Sequence, residues 1–219
     1  SDNGYEAWAL LSGVGRLMYN YDNRYLLTTT FRADGSSKFF KNKWGFFPSV
    51  ALAWSLGNEK FMQQQDIIQD SKLRVSYGLV GSQAISPYET LGLMKQVGYA
   101  YGGSTKYTGF WAGTSRATPD LTWEKTHQFN VGIDFATLAH RLRISIDYFN
   151  KTTKDGLLKK TLPQYDGGGT YWVNACEVVN RGVDFTIDAH ILNQKDLNWS
   201  SSFTGSYLKN KVTSLDNIP

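Results

Sequence analysis

Few side chains in this 219-residue sequence are spaced as catalytic or metal-binding chemistry requires. The three histidines, His127, His140 and His190, are scattered, and no pair has the spacing of metal ligands. Asp184 and Asp188 share one face of a predicted strand. A glycosidase needs two carboxyl groups facing each other across a closed site, and nothing in the sequence indicates such a site. Serines occur without the G-x-S-x-G elbow of a hydrolase. We therefore predict no enzyme, no cofactor and no metal site.

The remaining chemical signals exclude further classes of protein. Cys176 is the single cysteine, so the sequence has neither an intramolecular disulfide nor a cysteine-based metal site. The run Gly167–Gly169 is predicted to be a loop tip and not a phosphate cradle, because no helix pattern follows it. A net charge of +4 without a Lys/Arg block excludes nucleic-acid binding. No apolar run is long enough for a transmembrane helix, although membrane-barrel strands would escape such a test.

Period-2 alternation defines the predicted elements. It is clearest in Ser49–Leu56, where Val50, Leu52 and Trp54 alternate with small or polar residues. The same pattern predicts eight strands, around residues 7–19, 25–33, 48–56, 72–81, 125–135, 141–153, 182–189 and 199–207. Asn58 is expected to cap a short helix over Glu59–Ile68.

Connection lengths then distinguish a membrane barrel from a soluble sandwich. The links after the second, fourth and sixth strands are long (Asp34–Phe47, Ser82–Trp123 and Lys154–Val178), whereas the others are short or moderate. Bacterial outer-membrane barrels pair short periplasmic turns with long extracellular loops. The polar faces carry mainly Ser, Thr, Gly, Asn, Asp and Arg, which suits a wet interior. We predict an all-β fold, an antiparallel transmembrane β-barrel segment; the alternatives are a soluble glycan-binding β-sandwich module and a surface adhesin.

Strand direction adds an expectation about domain organisation. If the short turns are periplasmic, the chain begins and ends on the extracellular side. A complete bacterial barrel normally has both termini in the periplasm, so residues 1–219 are expected to be part of one larger barrel domain. No signal peptide pattern opens the sequence.

Several motifs resemble one family in the correct order. They are YDNRYLLTTTFRADGSSKF, WGFFPSVALAWSL, LRVSYGLVGSQ, WEKTHQFNVGIDF, RISIDYFNKTTKDGLL and NRGVDFTI. This series is similar to the SusC/RagA-type TonB-dependent outer-membrane transporters and covers most of residues 5–210. The resemblance implies a barrel of about 22 strands with a plugged lumen.

The resemblance also implies a function and partners. It implies outer-membrane location and import of oligosaccharides or peptides, with a SusD-type surface lipoprotein over the barrel and the TonB complex supplying energy. The sequence contains no plug domain or TonB-contacting box, so contact with TonB would belong to the parent protein. Outer-membrane lipid is the expected neighbour of the apolar face.

Two groups of candidate site residues follow. The first shares the inferred lumen face and is expected to pair with the plug or with Asp134, Asp147 and Asp184 in the wall, with substrate contact as the alternative: Arg16, Arg32, Arg74 and Arg143. The second consists of long-loop aromatics that contact substrate or partner, or pack loop on loop: Tyr99, Tyr101, Tyr107, Phe110, Trp111, Tyr165, Tyr171 and Trp172. Aromatics near strand ends are expected to anchor at the membrane interface: Trp54, Trp199, Tyr25 and Tyr207.

Overall fold

The computed structural model describes residues 5–62, 64, 68–92, 95–100, 106–111, 115–163, 165, 168–193 and 197–215. Its strands are β1 Leu10–Tyr21, β2 Tyr25–Ser36, β3 Trp44–Phe46, β4 Ser49–Ser55, β5 Ile68–Ser82, β6 Lys95–Ala100, β7 Lys106–Trp111, β8 Glu124–Thr137, β9 Leu142–Thr161, β10 Thr170–Asn193 and β11 Asn198–Leu215. A short 3-10 turn, Leu56–Asn58, follows β4. No helix of the described residues has the length and apolar character needed to cross a membrane.

Nine of these strands form one antiparallel sheet. Its order is β1-β2-β4-β5-β8-β9-β10-β11, with β3 paired to β2, while β6 and β7 form a separate hairpin. Along this path the strands follow chain order, and each runs antiparallel to the one before it. The eight alternating segments of the sequence correspond to the eight strands of this path, so the predicted antiparallel wall is confirmed.

The two ends of the sheet differ in their connections. At the turn end, Asp22 and Asn23 both have positive φ (52° and 51°), and the Arg24 amide donates to the Tyr21 carbonyl at 3.0 Å. These residues make the tight hairpin expected of Asp-Asn, which tolerates left-handed backbone. The other end, the loop end, carries the connections after β2, β5 and β9. The predicted long connections follow β2 and β5, whereas the connection after β9 is shorter than predicted because β9 and β10 extend into it.

Two local predictions were wrong. The expected helix over Glu59–Ile68 is absent from the described part of that range, since Glu59 is extended (φ −81°, ψ 143°) and β5 begins at Ile68. Asn58 does not cap a helix; its side-chain amide donates to the Asn23 carbonyl at 2.7 Å and ties two turns together.

The second error concerns the long loop predicted at Lys154–Val178. β9 continues to Thr161 and β10 begins at Thr170, so most of that segment is a strand pair. Register shifts around Cys176 interrupt the alternation, which is why the sequence pattern was lost there. At 20 and 24 residues, β9 and β10 are about twice the 9–11 residues that cross a bilayer.

Register divides the sheet into a polar face and an apolar face. Directly paired residues of an antiparallel sheet project to the same side. The apolar face carries large side chains that remain exposed: Phe31 63%, Leu52 55%, Ile133 38%, Ile146 41% and Phe203 61%. An apolar surface running across a whole sheet exceeds what a soluble monomer exposes.

The buried core is not between two sheets but at the loop end. Phe39, Phe47, Ile85, Leu121 and Trp123 form one buried cluster, at 0–5% exposure. The first two belong to the β2–β4 connection and the other three to the β5–β8 connection, while Leu157 of β9 and Trp172 of β10 pack against the cluster. We call this cluster and the connections that form it the loop layer. It is the main packed region of the described chain apart from the sheet itself.

Candidate functional site

The polar face is organised in rows, because each residue lies opposite its partners on the neighbouring strands. Two adjacent rows toward the loop end contain short neutral side chains: Thr30, Ser49, Gly78 and Gln128 in one, and Thr28, Ala51, Ser76 and Asn130 in the other. The next row toward the turn end contains Ala53, Arg74, Gly132 and Asp147. The row after that contains Ser55, Lys72, Asp134 and Ser145. On β4, β5 and β8 the charged residues of these four rows therefore lie toward the turn end, whereas Arg16 on β1 and Lys151 on β9 continue the row of Thr30 and Gln128.

Arg74 forms a bridge across three strands in the centre of this face. Its Nε donates to Asp134 Oδ2 at 2.7 Å, and its Nη2 donates to Asp134 Oδ1 at 2.8 Å and to Asp147 Oδ2 at 3.0 Å. Ser145 Oγ donates to Asp134 Oδ1 at 2.6 Å. Charge-assisted and bidentate bonds of this kind are the strong ones. We call this network the Arg74 bridge.

Gly132 makes the Arg74 bridge possible. It lies directly between Arg74 and Asp147 in the row, and a Cβ at this position would overlap Asp147 Oδ1 and the guanidinium. The missing side chain lets the arginine pass over β8. Glycine is used here for close approach and not for its backbone freedom.

The Arg74 bridge separates two recesses. The loop-end recess has a volume of about 380 Å³ and is lined by the two neutral rows, by apolar residues of β5 such as Leu79 and Val80, and, on the side of the loop layer, by Arg32, Asp34 and Phe47. The turn-end recess has a volume of about 450 Å³ and is lined by charged residues, including Asp70, Lys72, Asp134, Arg143 and Asp188. Both volumes fall in the range of small-ligand sites.

All four arginines predicted to share a face do so by register. Arg16 Nε donates to Thr30 Oγ1 at 3.3 Å, and Arg32 Nε lies 2.7 Å from Asp34 Oδ2. Arg74 forms the bridge already described. Arg143 is paired in register with Asp188 and lines the turn-end recess. Asp184 instead accepts a hydrogen bond from Ser206 Oγ at 2.5 Å.

The loop layer is fixed by bonds between different connections. Trp123 Nε1 donates to the Lys43 carbonyl at 3.1 Å, and Lys41 Nζ pairs with Asp120 Oδ1 at 2.7 Å. Asn174 donates to the Thr122 carbonyl at 3.0 Å and accepts from the Thr122 amide at 2.9 Å. These contacts join β2–β4, β5–β8 and β9–β10 connections into one layer.

The loop layer covers the upper part of the polar face. Asp34, Ser36 and Phe47, which lie on that face by register, are 4%, 1% and 5% exposed. Ser36 Oγ donates to Gln83 of the next long connection. The Phe47 ring packs so closely on Gly45 and Gly81 that a Cβ on either would overlap it. The long connections thus fold inward over the polar face instead of standing away from it.

The predicted loop aromatics fall into three groups. Trp172 is structural: its Nε1 donates to Glu89 Oε2 at 2.8 Å, Lys159 Nζ lies 5.7 Å from its ring centroid, and it packs against the buried cluster. Tyr171 is half-buried beside a cleft of about 430 Å³, and Tyr165 is 92% exposed. The remainder lie on the β6–β7 hairpin, of which only the backbone is described, or, for Tyr101, outside the described residues: Tyr99, Tyr101, Tyr107, Phe110 and Trp111.

Sequence reasoning missed the buried residues of the loop layer. Phe39, Phe47 and Trp123 lie in predicted loops or at strand ends, where alternation gives no facing. A usable signal was the density of aromatics in WGFFPS, where Gly45 leaves room for the Phe47 ring. Glu89 was also missed, since a lone acid in a loop has no pattern.

Two of the strand-end aromatics, Tyr25 and Trp54, lie at the turn end and donate hydrogen bonds to the carboxylate of Glu59. Glu59 accepts hydrogen bonds from Trp54 Nε1 at 3.1 Å, Tyr25 Oη at 3.0 Å and Arg24 Nη1 at 3.3 Å, and Tyr25 and Trp54 stack at 6.1 Å. The pKa of the Glu59 carboxyl lies below its ordinary value of 4.5, first because of the Trp54 bond and then because of Tyr25 and Arg24. Trp199 and Tyr207 lie on β11 at 55% and 71% exposure.

The described part of the chain contains no candidate metal site. No group of three or more His, Cys, Asp or Glu residues there is arranged to hold an ion. The described histidines interact locally: His127 Nδ1 lies 2.7 Å from Tyr77 Oη, and His140 Nδ1 lies 3.2 Å from Asp70 Oδ2.

A long-stranded antiparallel sheet with an exposed apolar face, a polar face and long connections at one end is typical of the wall of an outer-membrane β-barrel. Comparison with known proteins supplies the family. The profile of the TonB dependent receptor-like β-barrel family matches residues 2–219. The chain belongs to this family, and the resemblance inferred from the sequence motifs is confirmed.

Individual relatives agree. The chain is 40% identical to TonB-dependent receptor P3 of Formosa agariphila, over 94% of this chain and 20% of that protein. It is 36% identical to TonB-dependent receptor SusC of Bacteroides thetaiotaomicron, over 94% of this chain and 21% of that protein. It thus spans about a fifth of the length of these curated relatives.

Solved structures give the same fold. The RagAB peptide importer in its closed-closed state superposes with a TM-score of 0.86 at 30% identity, over 95% of this chain and 23% of that chain. The siderophore receptor PirA of Pseudomonas aeruginosa superposes at 0.58 with 15% identity, which is a likeness of fold. The sandwich alternative is therefore set aside.

Proposed function

We propose that this chain forms part of the barrel wall and mouth of an outer-membrane, TonB-dependent importer of oligosaccharides or peptides. The observation that carries the proposal is the division of one continuous sheet into an exposed apolar face and a polar face with two recesses. The apolar face would contact lipid, and the polar face would line a wet lumen.

The loop layer would form the extracellular mouth. A SusD-type surface lipoprotein would cover this end, and energy from the TonB complex would enter through parts of the protein outside this chain. The similarity to the RagAB peptide importer and to SusC supports such a transport assembly. Among the loop aromatics, Tyr165 and Tyr171 are proposed to contact cargo or partner, because Trp172 is occupied by packing and by Glu89.

The arginines would act in the wall. Arg74 would hold adjacent strands through the Arg74 bridge, while Arg16, Arg32 and Arg143 would pair with wall or plug groups on the lumen side. The chain is proposed to transport and not to catalyse. The mechanism is passive for these residues: they provide a wall, a part of the mouth, and polar surface along which a hydrated cargo passes.

Uptake by cells that make the full-length protein tests this function. Fluorescently labelled oligosaccharides and peptides are offered to these cells and to a strain with the gene deleted. We expect the protein in the outer-membrane fraction as a heat-modifiable band, and uptake that a protonophore abolishes. A protein recovered without detergent, or uptake equal in both strains, would contradict the proposal.

A further inference from the structure

The apolar face of β11 indicates where the membrane boundary lies toward the loop end of the wall. Trp199, Phe203 and Tyr207 share this face by register, and all three are exposed. The segment from Trp199 to Tyr207 is about as long as the 9–11 residues with which a tilted strand crosses a bilayer. Aromatic side chains collect at both membrane–water interfaces of barrel proteins. Tyr207 therefore lies at the interface on the loop side, and residues of the same face beyond it meet lipid headgroups.

Positively charged side chains follow this aromatic boundary on the same face. Lys209 and Lys211 come next on β11 toward the loop end, and Arg181 of β10 is the direct partner of Lys209. Lys125 of β8 and Lys154 of β9 are paired on this face as well, closer to the loop end. We call these five residues the cationic patch.

The register of the cationic patch brings like charges together. Arg181 lies opposite Lys209, and Lys125 lies opposite Lys154. Directly opposite side chains of an antiparallel pair have Cβ atoms about 4.5–5.5 Å apart, and like charges in such a pair are destabilising. Among the described residues, no carboxylate forms an ion pair with any member of the patch. The patch therefore contains two repulsive pairs that the described wall does not neutralise.

Neighbouring charges on the wall do not cancel the cationic patch. The described acids nearest to it along the strands are Asp155 and Glu177, at its loop-end edge. Glu177 Oε1 accepts a hydrogen bond from Thr213 Oγ1 at 3.1 Å, and two acids cannot balance five cations. The rows of Lys209 and Lys211 continue onto the earlier strands with neutral residues: Gly15, Leu17, Thr29, Phe31, Val50, Tyr77 and Leu79. At this level of the apolar face, positive charge is thus confined to β8–β11.

The surroundings of the cationic patch select an anionic lipid as its ligand. A phosphate group is anionic, and its oxygens accept paired N–H bonds from a guanidinium such as that of Arg181. Lysine stems lie along apolar surface while their ammonium groups reach the level of the headgroups. The surface that continues from the patch toward the turn end is exposed and apolar, with Val183 and Tyr207 directly next to it. A ligand that covers both surfaces must carry acyl chains as well as negative charge.

We propose that the cationic patch binds the phosphate groups of an anionic lipid in the outer leaflet, whose acyl chains lie along the apolar face beside Val183 and Tyr207. This proposal rests on the membrane wall proposed above and adds a lipid that the wall holds at one sector of its circumference. Arg181 is the centre of the site, because it faces Lys209 and lies on the strand between β9 and β11. Bound phosphate would relieve the repulsion within both like-charge pairs.

Lysine labelling in lipid discs tests the site in the full-length protein. The protein is reconstituted in phosphatidylcholine discs that contain either diphosphoryl lipid A or the same lipid with both phosphates removed. Lysines are methylated with formaldehyde and a borane reductant, and the rate at each residue is followed by peptide mass spectrometry. We expect Lys209 and Lys211 to react at least fivefold more slowly in the phosphorylated discs. Lys43 in the loop layer and Lys151 on the polar face are controls whose rates should not change.

Two substitutions separate the cationic patch from the general charge of the disc. Arg181→Gln removes the central cation of the patch. Lys151→Gln removes one cation from the polar face, where Lys151 is paired with Asn180, the residue next to Arg181. The protection of Lys209 and Lys211 by phosphorylated lipid should fall at least threefold in Arg181→Gln and stay unchanged in Lys151→Gln. Equal protection in the two variants would overturn the proposal.

Two further outcomes would also overturn the lipid site. If Lys209 and Lys211 react slowly in both kinds of disc, protein covers the patch. If inorganic phosphate alone protects them in the discs without lipid phosphates, free phosphate is the ligand. Wild-type protein that does not enter the discs would contradict the membrane wall itself, whereas entry without protection overturns the lipid site alone.

Discussion

The two recesses of the polar face differ although β4, β5 and β8 contribute to both. The loop-end recess lies under the buried rings of the loop layer and is lined by hydroxyls, amides and apolar side chains such as Val80, with one ion pair between Arg32 and Asp34. The turn-end recess is lined by lysine, arginine and aspartates and lies beside short turns that are held by hydrogen bonds. The Arg74 bridge lies between them.

This difference shows how one wall can have two kinds of surface. The alternation of the sequence fixes which face of the sheet a side chain occupies. The residue types on that face, and the groups they contact, change from the loop end of the strands to the turn end. The loop end depends on apolar packing, and the turn end depends on hydrogen bonds and ion pairs. Three substitutions, at the roof, at the bridge and at the turn end, separate these contributions.

The largest effect is expected at the roof of the loop-end recess. Phe47→Ala should destabilise the loop layer by about 3–5 kcal/mol, because it removes a buried ring. Phe46→Ala is the matched control, since Phe46 is the adjacent residue and is 69% exposed. Limited proteolysis of the folded protein should cleave the long connections much faster in Phe47→Ala only. Equal cleavage in the two variants would mean that the loop layer is not a packed unit.

A smaller effect is expected at the Arg74 bridge. Gly132→Val places a side chain where Arg74 meets Asp147 and should destabilise the sheet by about 1 kcal/mol, since the partners are 35–39% exposed. Gly15→Val is the control, because nothing lies within 4 Å of its Cβ position. Urea unfolding in lipid vesicles measures both. If the control loses as much stability, the bridge has no role.

The smallest effect is expected at Glu59 and depends on pH. The folded-state pKa of this carboxyl is lowered, so its stabilisation is present above the unfolded value and is lost as pH falls through the folded value. Glu59→Gln should therefore be less stable than wild type at pH 7, and the difference should shrink in acid. Unfolding midpoints at pH 7 and at acid pH test this; a difference that is constant with pH would contradict it.

Much of the sheet could be predicted because its physics is periodic. Val50, Leu52 and Trp54 alternate with small residues, so both the strand and its facing could be read from the residues alone. The shared face of Arg16, Arg32, Arg74 and Arg143 followed from the same parity. Alternation no longer predicts the structure where the register shifts, as it does around Cys176. The parts of β9 and β10 between this shift and the loop end were therefore predicted to be loop.

The recesses and the loop layer could not be predicted because they depend on residues distant in sequence. Arg74 and Asp147 are joined only when β8 places Gly132 between them. Phe39 and Trp123 meet only because two long connections fold inward, and no local pattern describes that fold. The turn at Asp22-Asn23 was predictable, since its signal is local.

The central claim is that the two faces of this sheet contact different media, and β10 tests it most directly. A nitroxide is attached in turn at each of residues 183–188 of the full-length protein, reconstituted in lipid vesicles. The account predicts that collision with oxygen is highest at residues 183, 185 and 187, and that collision with a water-soluble nickel complex is highest at residues 184, 186 and 188. Nickel collision that is equally high at all six positions would contradict a membrane-spanning wall.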